Sequence, residues 1–161
     1  HTRQSSSAAS DVYKRQGDNI PLSDSSLSMQ IITPATVAAE HIDEYGHMNH
    51  ALGLRLLEMA RDEWYRLAGL WDGRAWSETE RLGTIVLNLN VNYRAECFEG
   101  DSVEIVTEPL SRGSKSFVLA HQMRKADGQV AIDGTCTSLV MDLKQRITLT
   151  VPESLARFFP C

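Results

Sequence analysis

The chain carries one strong helical period, followed by a series of two-residue alternations. Between residues 49 and 70, Leu52, Leu56, Met59, Ala60, Trp64 and Leu67 recur at helical spacing, while Arg55, Glu58, Arg61, Asp62 and Arg66 fall largely on the opposite side. This predicts a long amphipathic helix, with Asn49 as its N-cap and Gly69 near its C-terminal end. Ahead of it, residues 30–39 are rich in β-branched side chains and read as a strand, which Pro34 confines to an edge or a bulge. Beyond a polar loop at 71–82, Leu87, Leu89, Val91 and Tyr93 alternate with Asn88, Asn90 and Asn92, the pattern of a half-buried strand over 84–93. Gly100-Asp101, Gly113 and Asp127-Gly128 then mark turns between strands expected at 102–107, 116–124 and 129–142. The order β-α-β-β-β-β predicts an α+β fold, an antiparallel sheet of about five strands around one long α-helix.

Composition narrows the class. The 161 residues, 42% hydrophobic and 23% charged, make one domain with a core of its own, too short for a two-domain cofactor enzyme. A net charge of -5 and a pI near 5.5 have the wrong sign for a surface that neutralises phosphate backbones, so nucleic acid is not an expected partner. No apolar run approaches the roughly 18 residues of a membrane span, and no secretion signal is visible, so a cytoplasmic protein with no membrane partner is expected. Cys97, Cys136 and Cys161 are odd in number and lack C-x-x-C spacing, which indicates neither a disulfide framework nor a zinc ribbon; they read as reduced packing residues. Residues 1–28 are serine-rich and without apolar period, and Asp-Val-Tyr-Lys-Arg-Gln at 11–16 resembles the translation of a transposon adaptor found in metagenomic gene models. They are expected to be a disordered, artefactual tail, leaving 29–161 as a single domain.

The chemistry concentrates at the turn into the helix, where residues 41–50 read His-Ile-Asp-Glu-Tyr-Gly-His-Met-Asn-His. A helix start offers unpaired backbone N–H groups and a partial positive charge, suited to an oxygen that becomes negative during acyl transfer. Asp43 just ahead of it is placed to activate water or to attack directly, or, equally, to cap the turn. His41, Asp43, His47 and His50 do not make a helical zinc motif, because no two of the histidines are four apart.

The signature Asp43-x-x-Gly46-His47-x-Asn49, followed by Glu58-x-Ala60-Arg61 on the helix, resembles the hotdog-fold acyl-CoA thioesterases of the 4-hydroxybenzoyl-CoA thioesterase type. Tyr93-Arg94-Ala95 and Gly100-Asp101 resemble the family's aromatic strand end and Gly-Asp turn, and the likeness extends over about residues 30–150. It implies a hotdog fold, no cofactor or metal, and hydrolysis of an acyl-CoA to acid and coenzyme A. Asp43 then falls on the catalytic carboxylate, general base or nucleophile, and the N–H near His50 on the group that polarises the thioester carbonyl. Gly46 permits the tight turn. His47 and Asn49 either serve the reaction or fasten the turn to backbone.

Gly53 stands where the family commonly has tyrosine, which suggests a wider acyl pocket or neutral drift. Glu58 is expected to pair with Arg55 or Arg61, and is kept as a second-choice substrate contact. Arg112 and Lys115, on the segment 111–115 between two strands, are candidate contacts to coenzyme A phosphates. The resemblance also implies a homodimer or a dimer of dimers, and open strand edges point the same way. Two other classes stay open: a hotdog hydratase or dehydratase, whose D-x-N-P-x-H pattern is broken after Asp43, and a non-catalytic acyl-CoA sensor, for which no DNA-binding segment is visible.

Overall fold

A computed structural model describes residues 29–70 and 82–160. The expected tail at 1–28, most of the polar loop at 71–82 and Cys161 lie outside the described residues. Strand β1 (Ile31–Thr36) leads through a 3-10 turn (Ala39–His41) to the helix α1 (His50–Leu67), and strands β2 (Leu82–Tyr93), β3 (Ser102–Arg112), β4 (Ser116–Lys125) and β5 (Val130–Asp142) follow. A short strand β6 (Ile147–Leu149) and a one-turn helix α2 (Glu153–Ala156) complete it; the sequence reading named neither, since each is too short to show a period. The sheet is antiparallel in the order β1-β3-β4-β5-β2, with β6 added to β5 beyond the point where β4 stops. It therefore has six strands rather than five, and Pro34 sits on the edge strand β1, opposite Glu104.

The helix lies on one face of this sheet. Asn49 caps it as expected, its side-chain oxygen accepting the Ala51 N–H at 2.9 Å, and Gly69 leaves it with φ +80° while Leu70 N–H returns to the Tyr65 carbonyl. Its buried stripe is Gly53, Leu56, Leu57, Ala60, Arg61, Trp64 and Tyr65. That is a partial correction: Met59 and Leu67, read as core, are 51% and 49% exposed, and Arg61, read as outward, is 8% exposed. The first half of the stripe packs with Val103, Ile105, Met123 and Ile132; the second half, around Trp64, packs with Phe117, Leu119, Val140, Leu155 and Phe159. The C-terminal segment thus closes the end of the core that five strands alone would leave open. Trp64 also donates its indole N–H to the Met29 carbonyl at 2.7 Å.

Strand β2 departs from strict alternation. Val86 pairs with Ser138 and Asn88 with Thr137, so Leu87 is an extra, bulged residue. The bulge puts Val86 on the same face as Leu89 and Val91, and turns Leu87 away from the face the sequence pattern gave it. At the far end of β2, buried Arg94 pairs with the fully buried Asp133 of β5, whose other carboxylate oxygen accepts from Asn92 at 3.1 Å. This gives one member of the asparagine ladder a structural task.

The core also holds His121, 2% exposed, its Nδ1 3.0 Å from the Thr107 hydroxyl and its Nε2 without a partner. Burial first, and the charge of Arg61 second, push its pKa down from 6.5 to about 3, so the ring is neutral in the fold at physiological pH. Because the folded value lies below the unfolded one, the stability this confers is complete above about pH 6.5 and is lost as pH falls toward 3. Urea unfolding of wild type and His121→Gln between pH 7 and pH 4 should show the wild type losing more on acidification, by up to about 1.4 kcal/mol per pH unit, the slope of one proton.

Candidate active site

The turn ahead of α1 is built by a narrow antiparallel contact. Ile42 bridges Met48, Asp43 N–H donates to the His47 carbonyl at 3.0 Å, and Gly46 N–H returns to the Asp43 carbonyl at 3.0 Å. Gly46 has φ +83°, a conformation a side chain would strain, so the glycine meets the need expected of it. The Asp43 carboxylate closes the turn from inside by accepting the Tyr45 N–H through Oδ1 at 2.9 Å, an Asx turn. This leaves Oδ2 pointed at His47 Nε2, 3.5 Å away, with the Asp43 side chain only 12% exposed.

His47 connects that carboxylate to another. Its Nδ1 lies 3.0 Å from Glu96 Oε1, giving an Asp43–His47–Glu96 chain of carboxylate, imidazole and carboxylate. With Nδ1–H donated to Glu96, Nε2 presents a lone pair toward Asp43; with the ring protonated, it donates to both. Glu96 escaped the sequence reading because it is 49 residues from His47 and on a different segment. The only local signal was its place just after the Tyr93-Arg94-Ala95 strand end. Met48 N–H bonds to the Cys97 carbonyl at 2.8 Å and so clips the turn to that segment. Lys125 Nζ holds the same segment through the Glu96 carbonyl at 2.9 Å.

The helix start stands beside the turn, since Asn49 N–H bonds to the His41 carbonyl at 2.8 Å. Asn49 claims the Ala51 N–H, and Gly53 N–H is the first donor to bond within the helix, to the Asn49 carbonyl. Among the described residues nothing therefore accepts from the N–H groups of His50 and Leu52. Tyr93 donates its hydroxyl to the His50 carbonyl at 2.9 Å, and its ring meets the His50 ring edge to face. His41 is used structurally, its Nδ1 accepting the Ala38 N–H at 2.9 Å. Cys97 lies beside the turn but is buried, and burial pushes its thiol up to about 11, which removes it as a nucleophile at neutral pH.

The other expected residues fall elsewhere. Gly53 does not open a space: a Cβ there would meet Ile132 Cδ1 at 2.8 Å and Met48 Cε at 3.3 Å, so the glycine allows α1 to approach β5. Arg112 and Lys115 sit at the end of β3 and in the turn after it, whereas the Asp43 turn adjoins the opposite end, where Val103 pairs with Lys125. Ten residues of strand separate the two ends, about 30 Å, so one chain does not bring those cations to Asp43. Glu58 pairs with Arg55 at 2.7 Å on the rim of the helix, the first of the two partners expected for it. A groove of about 240 Å³ runs between α1 and the sheet, lined by Ala51, Leu54, Leu57, Val86, Leu89 and Val91 among others.

A single long helix on a curved antiparallel sheet, with an acidic turn at the helix start, is the hotdog architecture. The chain belongs to the thioesterase-like superfamily, whose sequence model matches residues 37–159. It is 31% identical over 130 residues, 76% of this chain and 92% of the other, to the long-chain acyl-CoA thioesterase FadM of Escherichia coli strain K12. Among solved structures it resembles the probable thioesterase YbaW of Escherichia coli, at 28% identity and TM-score 0.64, over 79% of this chain and 94% of that one. The Staphylococcus aureus protein SAV2348, solved with CoA, shares the fold at 21% identity and TM-score 0.71, over 83% of this chain and 84% of that one.

A side chain at Gly53 requires the tip of Ile132 to move and Met48 to give way, since its Cβ would stand 2.8 and 3.3 Å from them. Gly53→Tyr should lower stability by about 1–3 kcal/mol in urea unfolding, and hydrolysis rates across an acyl chain-length series should keep their ranking.

Proposed function

We propose that the protein hydrolyses an acyl-CoA thioester to the free acid and coenzyme A, with Asp43 as general base or nucleophile. The observation that carries this reading is the Asp43 carboxylate held by a turn directly ahead of a helix in which, among the described residues, nothing accepts from the His50 and Leu52 N–H groups. In the reaction, water loses a proton to Asp43 and adds to the thioester carbonyl, or the carboxylate adds itself and the resulting anhydride is hydrolysed. Either way the carbonyl oxygen becomes negative, and the N–H of His50, with the dipole of α1 behind it, stabilises the charge. Collapse breaks the C–S bond and releases the coenzyme A thiolate, which takes up a proton. The membership of the thioesterase-like superfamily and the likeness to FadM support the substrate class.

His47 positions Asp43, and Glu96 positions His47. A second reading follows from the same distances: the imidazole is nearer to Glu96 than to Asp43, so a Glu96-oriented His47 with Nε2 as base uses the logic of a catalytic dyad.

The working unit proposed is a homodimer formed through β2. Among the described residues no strand pairs with its outer edge, and Val86, Leu87 and Leu89 on it are 43–56% exposed, an arrangement that single chains usually avoid.

Two measurements check these readings. Asp43→Asn keeps the shape and the Asx turn but removes the charge, so kcat should fall about 10²- to 10⁴-fold while affinity for a non-hydrolysable acyl-CoA holds. Glu96→Gln should cost less and shift the pH profile; if Glu96→Gln and His47→Gln instead exceed Asp43→Asn in effect, the histidine is the base. In sedimentation the wild type should run at twice the chain mass, and Leu87→Lys, which charges the edge, should shift it toward the monomer.

A further inference from the structure

The groove between α1 and the sheet ends on a polar atom that nothing in it satisfies. Thr107, His121, Gly134 and Val91 form one row across β3, β4, β5 and β2, and the last three of them line the groove. His121 is 2% exposed, and its Nδ1 stands 3.0 Å from the Thr107 hydroxyl on the β3 side. Its Nε2, on the other flank of the ring, is thereby turned away from β3 and toward the groove, and among the described residues it has no hydrogen-bond partner. Gly134 keeps the space beside the ring open. A Cβ there would run into the Asn90 carbonyl, so the glycine that lets β2 approach β5 also leaves no side chain next to the imidazole. Burial keeps the ring neutral at physiological pH, so Nε2 is a single donor or a single acceptor according to the tautomer. The walls, Leu54, Leu57, Val86, Leu89 and Val91, offer it nothing, and a buried polar group left unpaired is costly.

The distance from the helix start sets the kind of ligand. Gly53 faces Ile132, which pairs with Met123, and Tyr65 meets the ring of Phe117, which pairs with Ser138. The helix therefore runs along the strands, and the row of His121 and Gly134, next after that of Met123 and Ile132, lies near the level of Leu57. From His50, beside the proposed thioester site, to Leu57 is about 10 Å of helix axis, the reach of a roughly eight-carbon chain. Ala51, in the first turn of α1, lines the same groove, so the two ends are joined. We propose that the groove receives an aliphatic acyl group bearing a hydroxyl at its far end, about eight carbons from the thioester, and that His121 binds this hydroxyl through Nε2. A hydroxyl both donates and accepts, so it satisfies either tautomer, whereas a terminal methyl group leaves the nitrogen unpaired. The proposal rests on the acyl-CoA thioesterase reading for the reaction, but the residue it assigns lies on a different strand from the Asp43 turn.

The test compares ω-hydroxyoctanoyl-CoA, β-hydroxyoctanoyl-CoA and octanoyl-CoA as substrates for the full chain, and the non-hydrolysable thioethers ω-hydroxyoctyl-CoA and octyl-CoA as ligands in calorimetry. The expected result is a kcat/KM at least about fivefold higher for the ω-hydroxy thioester than for octanoyl-CoA, with the same order in binding of the thioethers. The β-hydroxy thioester should gain nothing, because its hydroxyl stays beside the helix start. In nitrogen NMR the ω-hydroxy thioether should move the His121 Nε2 signal and octyl-CoA should not. His121→Leu should erase both preferences; if that variant does not fold, His121→Gln, whose amide is shorter, should reduce them. Hydrolysis of octanoyl-CoA at an equal or greater kcat/KM by the wild type, the result also expected if a water stays on Nε2 in every complex, overturns the proposal and leaves the thioesterase reading standing. Tighter, His121-dependent binding of the ω-hydroxy thioether with no hydrolysis of any thioester supports the site and overturns the reaction. A preference unchanged in the His121 variants overturns the role of His121.

Discussion

The buried pair of Arg94 and Asp133 anchors the end of the molecule that carries the Asp43 turn. Asp133 has no exposure and Arg94 very little, so neither charge is tolerable alone, and the end of β2 is held against β5 by more than ladder hydrogen bonds. Two residues on either side of Arg94 then have their places set. Tyr93 reaches the first carbonyl of α1, and Glu96 reaches His47. The turn that carries Asp43 is therefore positioned from the far side of the chain, and its own short hydrogen bonds need only keep its shape.

This division explains what could be read from the sequence. The long helix, its Asn49 cap, the edge position of Pro34 and the order of the strands were legible because each is a local pattern: a period, a capping oxygen, a missing N–H. The Asp43, Gly46 and His47 turn was legible through resemblance to a known signature. Glu96 was not, because nothing in its neighbourhood announces that Met48 will bond to Cys97 and bring His47 across. Arg61 shows the limit of binary pattern. Its charge argued for the outer face of α1, but its place one turn beyond Leu57 and beside Ala60 puts it on the buried stripe. The glycine at 53 was misread for a related reason. A missing side chain in sequence looks like space, while in the structure the space is filled by Ile132 and Met48.

The two ends of α1 consequently do different work. Its N-terminal turn supplies dipole and N–H groups to the acidic loop, whereas its middle offers apolar side chains and one cation to a groove shared with β2, β4 and β5. The acidic loop and the groove thus meet one rigid rod at a fixed spacing, which makes the distance between them a property of helix geometry.

The bulge at Leu87 carries a consequence for how this protein can change over evolutionary time. Val86 joins Leu89 and Val91 on the groove wall only because one extra residue separates them from the regular count. Wall composition can drift freely by substitution, exchanging one apolar residue for another at little cost. Loss of the Leu87 codon would leave Val86 opposite Ser138 and Asn88 opposite Thr137, so the wall residues would keep their faces and the strand would lose only its local bend. The lineage is thus free in the letters of this segment and free to shed its one extra residue, whereas a codon lost from the regularly paired part of β2 would turn the residues before it to the other face.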